Sequence, residues 1–215
     1  MYNITTVYLI RHSRKLVNEF VDYENDNEYY QNRREKIVLS VEGEKRAELL
    51  SKEKEFNNID VIYSSNYART IQTAKYFAES RNMIIHIDNR FNERKFGIVQ
   101  DKDITIKQYF DENLKNPDGE SQKEVRERMY AGFQEIVDKN RGKNIAVFTH
   151  GAAMTFLLMC WCKLEYIHKD KHKCLSFNGN VIVDKKFAEP EVFKLQIGRE
   201  NEILSIENLE FNSLK

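Results

Sequence analysis

Two histidines and two arginines stand at positions suited to act together on one anion. Arg11-His12 directly follows the apolar run Val7-Tyr8-Leu9-Ile10, and Thr149-His150-Gly151 follows Ile145-Ala146-Val147-Phe148. Short β-branched and aromatic runs read as buried strands. The C-terminal ends of parallel strands are where open α/β sheets place their chemistry. Two strands therefore deliver a histidine each at the same end. Ser64-Ser65-Asn66-Tyr67-Ala68-Arg69-Thr70 follows a third such run, 59–63, so Arg69 falls near a helix start at the same edge. A helix N-terminus with a cation beside it is an anion site. Two guanidiniums, two imidazoles and a helix dipole make a phosphate pocket. Glu93, just beyond the strand-like run 83–87, is the acidic candidate.

The elements that must position these residues are legible as periodicities. Strand-like runs fall at 7–10, 59–63, 83–87 and 144–148, with helical patterns between them. The stretch 40–55 carries Ala47 and Leu50 on one face, and Tyr67, Ile71, Ala74 and Ala78 recur at helical spacing. Ser121-Gln122-Lys123-Glu124 is a capping box, followed by the stripe Val125, Met129, Phe133 and Ile136, with Gly142 closing the helix. This alternation predicts an α/β fold, a three-layer α/β/α sandwich around a central, mostly parallel sheet. The expected organisation is one domain over 1–215, with a small lid insertion at about 97–119 and short antiparallel strands at about 181–208. Gly198-Arg199-Glu200-Asn201 supplies a turn between the last two strands. The acidic segment 20–36, with Tyr23, Tyr29 and Tyr30, reads as either a substrate lid or a set of loop anchors.

Composition narrows the function classes. Lys plus Arg and Asp plus Glu number 34 each, so the formal net charge is zero. That argues against a general nucleic-acid or polybasic membrane binder and leaves room for a local basic pocket. The longest apolar stretch, 152–162, is too short to span a bilayer. Met1-Tyr2-Asn3 leads straight into a strand-like run, which predicts no signal peptide. Three cysteines without a CxxC pattern predict a reducing, cytoplasmic setting.

The ordered set Leu9-Ile10-Arg11-His12, Ser64-Ser65-x3-Arg69-x2-Gln72-Thr73-Ala74, Glu93 with Gly97, Gly119-Glu120-Ser121 and Thr149-His150-Gly151 resembles the histidine phosphatase superfamily, the phosphoglycerate mutase-like clan. The match runs from about Val7 to Ala153. The resemblance implies that His12 is the nucleophile that becomes phosphohistidine. It implies that Arg11, Arg69 and His150 bind the phosphoryl oxygens, joined by Asn18, and that Glu93 protonates the leaving oxygen and then activates water. Glu120 is the other candidate for the acid. No cofactor or metal is implied, and the expected partner is a small phosphorylated metabolite or a phosphopeptide. Independently of the family, a nucleophilic imidazole must be neutral, and adjacent arginines lower its proton affinity.

Two departures matter. Ser13 stands where the family usually has Gly. It fits if its φ is negative, with a hydroxyl able to donate to phosphate, and otherwise crowds the pocket. Lys15 replaces a phosphate-binding Ser of many mutases and either contacts a second anionic group or is solvated. Three readings stand open: a metal-independent phosphatase, a cofactor-dependent phosphoglycerate mutase, and a phospho-ligand-binding or regulatory protein with weakened catalysis. The short 97–119 segment and Lys15 favour hydrolysis, because a mutase must keep its intermediate from water. Elsewhere, His168-x3-His172 has the helical spacing of a zinc pair beside Cys174, although the Lys-rich context favours a solvated face. Cys160 and Cys162 are expected in an apolar helix, His86 as a structural residue, and Arg126 and Arg128 on the surface, or one of them at the pocket mouth.

Overall fold

Alternate side chains of β1 (Thr5–Arg11) leave for opposite faces, and from Val7 to Ile10 both sets are apolar and buried. Val7 and Leu9 join Val125, Met129 and Phe133 in one cluster, whereas Tyr8 and Ile10 join Leu50, Ala74 and Phe77 in another. β4 (Asn144–Thr149) divides the same way, with Ile145 and Val147 in the first cluster and Ala146 and Phe148 in the second. Strands that need cover on both faces lie inside a sheet between two helix layers. This is the arrangement in the computed structural model, which describes residues 4–16, 34–98 and 104–214.

The six-stranded sheet runs in the order β3 (Ile85–Ile87), β2 (Val61–Ser64), β4, β1, β8 (Val192–Ile197), β9 (Ile203–Leu209). The first four strands are parallel, and β8 and β9 add an antiparallel edge. Helices α1 (Val41–Ser51) and α2 (Ala68–Arg81) cover one face, and α4 (Gln122–Lys139) and α5 (Gly151–Leu158) cover the other. The capping box at Ser121 and Glu124 is formed in both directions. The short helix α3 (Ile104–Lys107) belongs to the 97–119 segment, whose ends are drawn together where Ile98 N donates to the Pro117 carbonyl. Tyr109 in this segment packs on Phe156 of α5, ring centres 5.0 Å apart. No helix among the described residues is long and apolar enough to cross a membrane. Asn18 and the tyrosines Tyr23, Tyr29 and Tyr30 lie outside the described residues.

The antiparallel strand expected at 181–183 is present as β7 (Asn180–Lys186), in a second sheet with β5 (Lys163–Ile167) and β6 (His172–Phe177). A bulge between Leu164 and Tyr166 interrupts the period-two pattern, which is why β5 is hard to see in the sequence. Two other readings of the C-terminal part are corrected. His168 and His172 are not on a helix but at the β5–β6 turn, with His172 Nε2 paired to Asp184 at 2.7 Å. Among the described residues, no group of three or more His, Cys, Asp or Glu is placed to hold a metal ion. Cys160 and Cys162 lie just beyond α5 rather than in it, because that helix ends at Leu158. His86, expected as structural, is exposed on edge strand β3 and stacks on Tyr63 with ring centres 5.3 Å apart.

The chain after β1 is pinned to the first turn of α1. Ser40 N donates to Arg14 O at 3.0 Å, and the Ser40 hydroxyl caps the helix by accepting from Gly43 N. A Cβ on residue 43 would lie 1.9 Å from Arg14 O, so only glycine allows this contact. Gly43→Ala is expected to lower stability by about 1–3 kcal/mol, read from urea unfolding. The same change displaces the loop that carries His12 and Ser13, so turnover falls as well.

Candidate active site

Parallel pairing places the two histidines side by side. Arg11 is in register with Thr149, and His12 N donates to Thr149 O at 2.9 Å, so His12 and His150 leave adjacent strands at the same level. Their rings are 5.3 Å apart between centres. Ser65 N extends the ladder to Phe148 O at 3.0 Å and brings the β2 end alongside. All three are the C-terminal ends of parallel strands, as the sequence predicts.

His12 is buried, and its Nδ1 lies 2.8 Å from Ser13 O. A carbonyl only accepts, so the network assigns the proton to Nδ1 and leaves the Nε2 lone pair free. Burial, then Arg69 and Arg11, hold this imidazole well below its ordinary pKa of 6.5. His150 has the opposite tautomer. Arg69 Nη2 donates to its Nδ1 at 3.0 Å, so Nε2–H faces Ser65 Oγ at 2.8 Å. Burial, then Arg69 and His12, likewise keep it well below 6.5.

Arg69 sits in the first turn of α2 and is buried. It also donates to Arg34 O at 2.6 Å, and burial pushes it down to about 10, which still leaves it charged at neutral pH. Arg11 is turned differently from what its place in the sequence suggests. Its Nη1 donates to the carbonyls of Phe187 and Ala188, and its Nη2 pairs with Glu189. The remaining Nε passes Gly151, where a Cβ would lie 3.2 Å away. Ser13 is accommodated, because the non-glycine residues of positive φ among those described are Asn82, Asp118, Lys171, Asn178 and Asn201. Its backbone N–H donates to Thr73 Oγ1 at 3.0 Å. Three buried donor atoms of this cluster have no partner among the described residues: Ser13 Oγ, Arg69 Nε and Arg11 Nε.

Glu93 is held at the N-terminus of α5. Its carboxylate accepts from Ala153 N at 3.0 Å, from Arg94 N at 2.8 Å and from Ala152 N at 3.4 Å. A carboxylate is favoured at that end of a helix. Glu120 is occupied elsewhere, bound by Arg128 at 2.7 and 2.8 Å and by Lys95 N. Of the two places that the sequence allows Arg128, it is not at the surface but beside the candidate site. It is partly buried and donates to the carbonyls of Arg90, Asn92 and Glu93, fixing the backbone that carries Glu93. Thr149 Oγ1 adds a bond to Phe91 O at 2.7 Å. The sequence points to both residues but not to this role, because both act on carbonyls. Arg126 pairs with Glu112 and stays at the periphery.

Known proteins resemble this chain in sequence and in fold. The model of the histidine phosphatase superfamily (branch 1) matches residues 7–184. A probable phosphoglycerate mutase, GpmB, of Yersinia pestis (strain Pestoides F) is 27% identical over 163 residues, covering 71% of this chain and 72% of that protein. Among solved structures, YhfR of Bacillus stearothermophilus superposes with a TM-score of 0.68 at 20% identity, covering 98% of this chain and 100% of that one. Phosphoserine phosphatase of Entamoeba histolytica, in complex with phosphoserine, gives 0.63 at 16% identity, with 94% and 96% covered. A mycobacterial glucosyl-3-phosphoglycerate phosphatase gives 0.62 at 16% identity, with 96% of each chain covered. With the family match spanning both histidine strands and the segment between them, the chain belongs to the histidine phosphatase superfamily, branch 1.

Proposed function

We propose that the protein hydrolyses phosphomonoesters through a phosphohistidine on His12, without a metal ion. The observation that carries this reading is the set of unpartnered buried donors, Ser13 Oγ, Arg69 Nε and Arg11 Nε, beside a neutral imidazole. Buried donors normally find partners, and a phosphoryl group supplies the acceptors. His12 Nε2 attacks phosphorus, the P–O ester bond breaks, and Glu93 passes to the departing oxygen a proton brought in by the substrate's phosphate monoanion. Water then attacks the phosphohistidine, Glu93 takes the water proton, and the P–N bond breaks to release inorganic phosphate. Arg69 and Arg11 stabilise the charge spread over the equatorial oxygens. His150 holds Arg69 in place, and a bound dianion raises its proton affinity so that it too donates. Asn18 is proposed as a further phosphate contact.

The superfamily neighbours named as phosphatases support hydrolysis, with a small phosphorylated metabolite or a phosphopeptide as substrate. The probable mutase among the relatives favours a second reading, phosphoryl transfer between two positions of one molecule. Product analysis separates them. Release of inorganic phosphate from 3-phosphoglycerate without isomerisation is the expected result, and isomerisation dependent on a bisphosphate would overturn hydrolysis.

With 4-nitrophenyl phosphate in the presence of a chelator, turnover is expected to persist. His12→Ala is expected to lower it by about four orders of magnitude. An acid-labile phosphoryl adduct on the His12 peptide after rapid quench would establish the intermediate, and full turnover in His12→Ala would sink the assignment. Glu93→Gln is expected to cost about 10²–10⁴-fold, with the larger losses on poor leaving groups.

Stability carries its own pH signature. Both imidazoles resist protonation in the folded protein, while the unfolded chain protonates them near 6.5. Their contribution is therefore fully present above that pH and is lost as the pH falls below it. Each histidine adds a slope of about 1.4 kcal/mol per pH unit there. His12→Ala is expected to flatten this acid limb in urea unfolding measured from pH 7 to pH 5.

A further inference from the structure

Lys173 lies on β6, and its side chain turns inward until only 4% of the residue is exposed. Its Nζ donates to Thr155 Oγ1 at 3.0 Å, in the same helix whose first amides hold Glu93. The ammonium lies 4.1 Å from the centre of the Phe187 ring and 5.7 Å from that of Tyr109. Phe187 is also the residue whose carbonyl receives Arg11, so this amine borders the candidate site. One hydroxyl and two aromatic rings leave a three-proton cation short of hydrogen-bond acceptors, and no carboxylate among the described residues is ion-paired with it. Burial pushes its pKa down to about 7, followed by the charge of Arg11.

Arg94 is a second buried cation in the same state. It is 2% exposed, and its Nε and Nη1 have no partner among the described residues. Its guanidinium lies 4.3 Å from the Phe96 ring centre and 5.9 Å from that of Phe156. Phe156 and Tyr109 pack against each other, so the two cations flank one aromatic wall. Both are within electrostatic reach of Glu93, yet neither side chain is hydrogen-bonded to it among the described residues. A structural anchor on Phe187 needs no charge, and burying one without an anion is costly. The phosphoryl group is already matched by Arg11 and Arg69, so these two cations are surplus to it.

We infer that Lys173 is a specificity-determining residue which, with Arg94, receives a second anionic group on the leaving group of the substrate. The inference rests on the hydrolase reading and narrows its substrate class to phosphomonoesters that carry a further carboxylate or phosphate. The Lys173 amine and the Arg94 fork would bind that group across the Tyr109–Phe156 wall, on the side where Glu93 meets the departing oxygen.

Matched pairs test it. Phosphate release is measured for 3-phosphoglycerate against glycerol 1-phosphate, and for propanediol bisphosphate against propanediol monophosphate, with wild type, Lys173→Met and Lys173→Arg. Wild type is expected to prefer the anion-bearing member of one pair by about tenfold or more in kcat/KM. That pair identifies the anion. Lys173→Met, which keeps the packing on Phe187, is expected to remove most of the preference through KM, and Lys173→Arg to retain it. Arg94→Met, on a different element, repeats the reading. Absence of preference in wild type, or an equal loss for both members in Lys173→Met, overturns the proposal. If no substrate, including 4-nitrophenyl phosphate, releases phosphate, the hydrolase reading has failed. The same pairs are then compared by calorimetric binding, where equal affinities in wild type and Lys173→Met overturn the anion site itself.

Discussion

The parallel pairing of β1 with β4 is the constraint on which the rest depends. Arg11 opposite Thr149 means that the next residue on each strand is a histidine, and the His12 N to Thr149 O bond locks that level. A slip of one residue would turn Val7 and Leu9 into the layer now filled by Tyr8 and Ile10 and swap every contact of both cores. The cost of that exchange is what keeps the imidazoles abreast. Burial on both faces of the sheet thus enforces a distance at its edge, and the geometry of the site follows from the core.

Given that register, the charges organise themselves around neutrality. Two imidazoles 5.3 Å apart, buried among cations, cannot both protonate, and each keeps one lone pair. One lone pair is taken by Arg69, the other remains open on His12. The tautomers are not independent, because the Ser13 carbonyl and the Ser65 hydroxyl each accept one ring proton. The carboxylate is kept apart from this cluster by a different device. Helix α5 begins immediately after His150, and its free amides hold Glu93 while the Arg128–Glu120 pair fixes the backbone behind it. One helix start therefore ties the second histidine to the candidate acid.

Much of this was legible because the sheet is built from local signals. Runs such as Ile145 to Phe148 announce strands buried on both faces, and a histidine at the end of β1 and of β4 marks the edge of the candidate site. Ser121 and Glu124 announce their helix through adjacent side chains. Of the second sheet only β7 was legible, for a physical reason: the bulge at Leu164 breaks alternation in β5, and the lysines and histidines of 168–173 imitate a solvated helix face. Lys173 sat inside that run, and nothing in its neighbours reveals that this one lysine turns inward. Arg11 was legible as a residue but not as a conformation, since its partners, Phe187 to Glu189, lie far along the chain.

Ser13 shows how a departure from a family pattern can be local in sequence and harmless in geometry. Glycine is needed at such a position when the backbone takes a positive φ or meets another chain too closely for a Cβ. Residue 13 is outside the positive-φ set, and its amide donates to Thr73 as an ordinary loop residue does. Gly43 is the contrasting case, because there the Arg14 carbonyl occupies the place of a Cβ. The close approach in this loop is therefore made from the helix side, at residue 43, and position 13 is left able to carry a side chain. The result is a hydroxyl, fully buried and without a partner among the described residues, next to the imidazole proposed as nucleophile. A group in that state favours an anion at the site, which supports the proposal that residue 13 adds a donor to the proposed phosphate pocket.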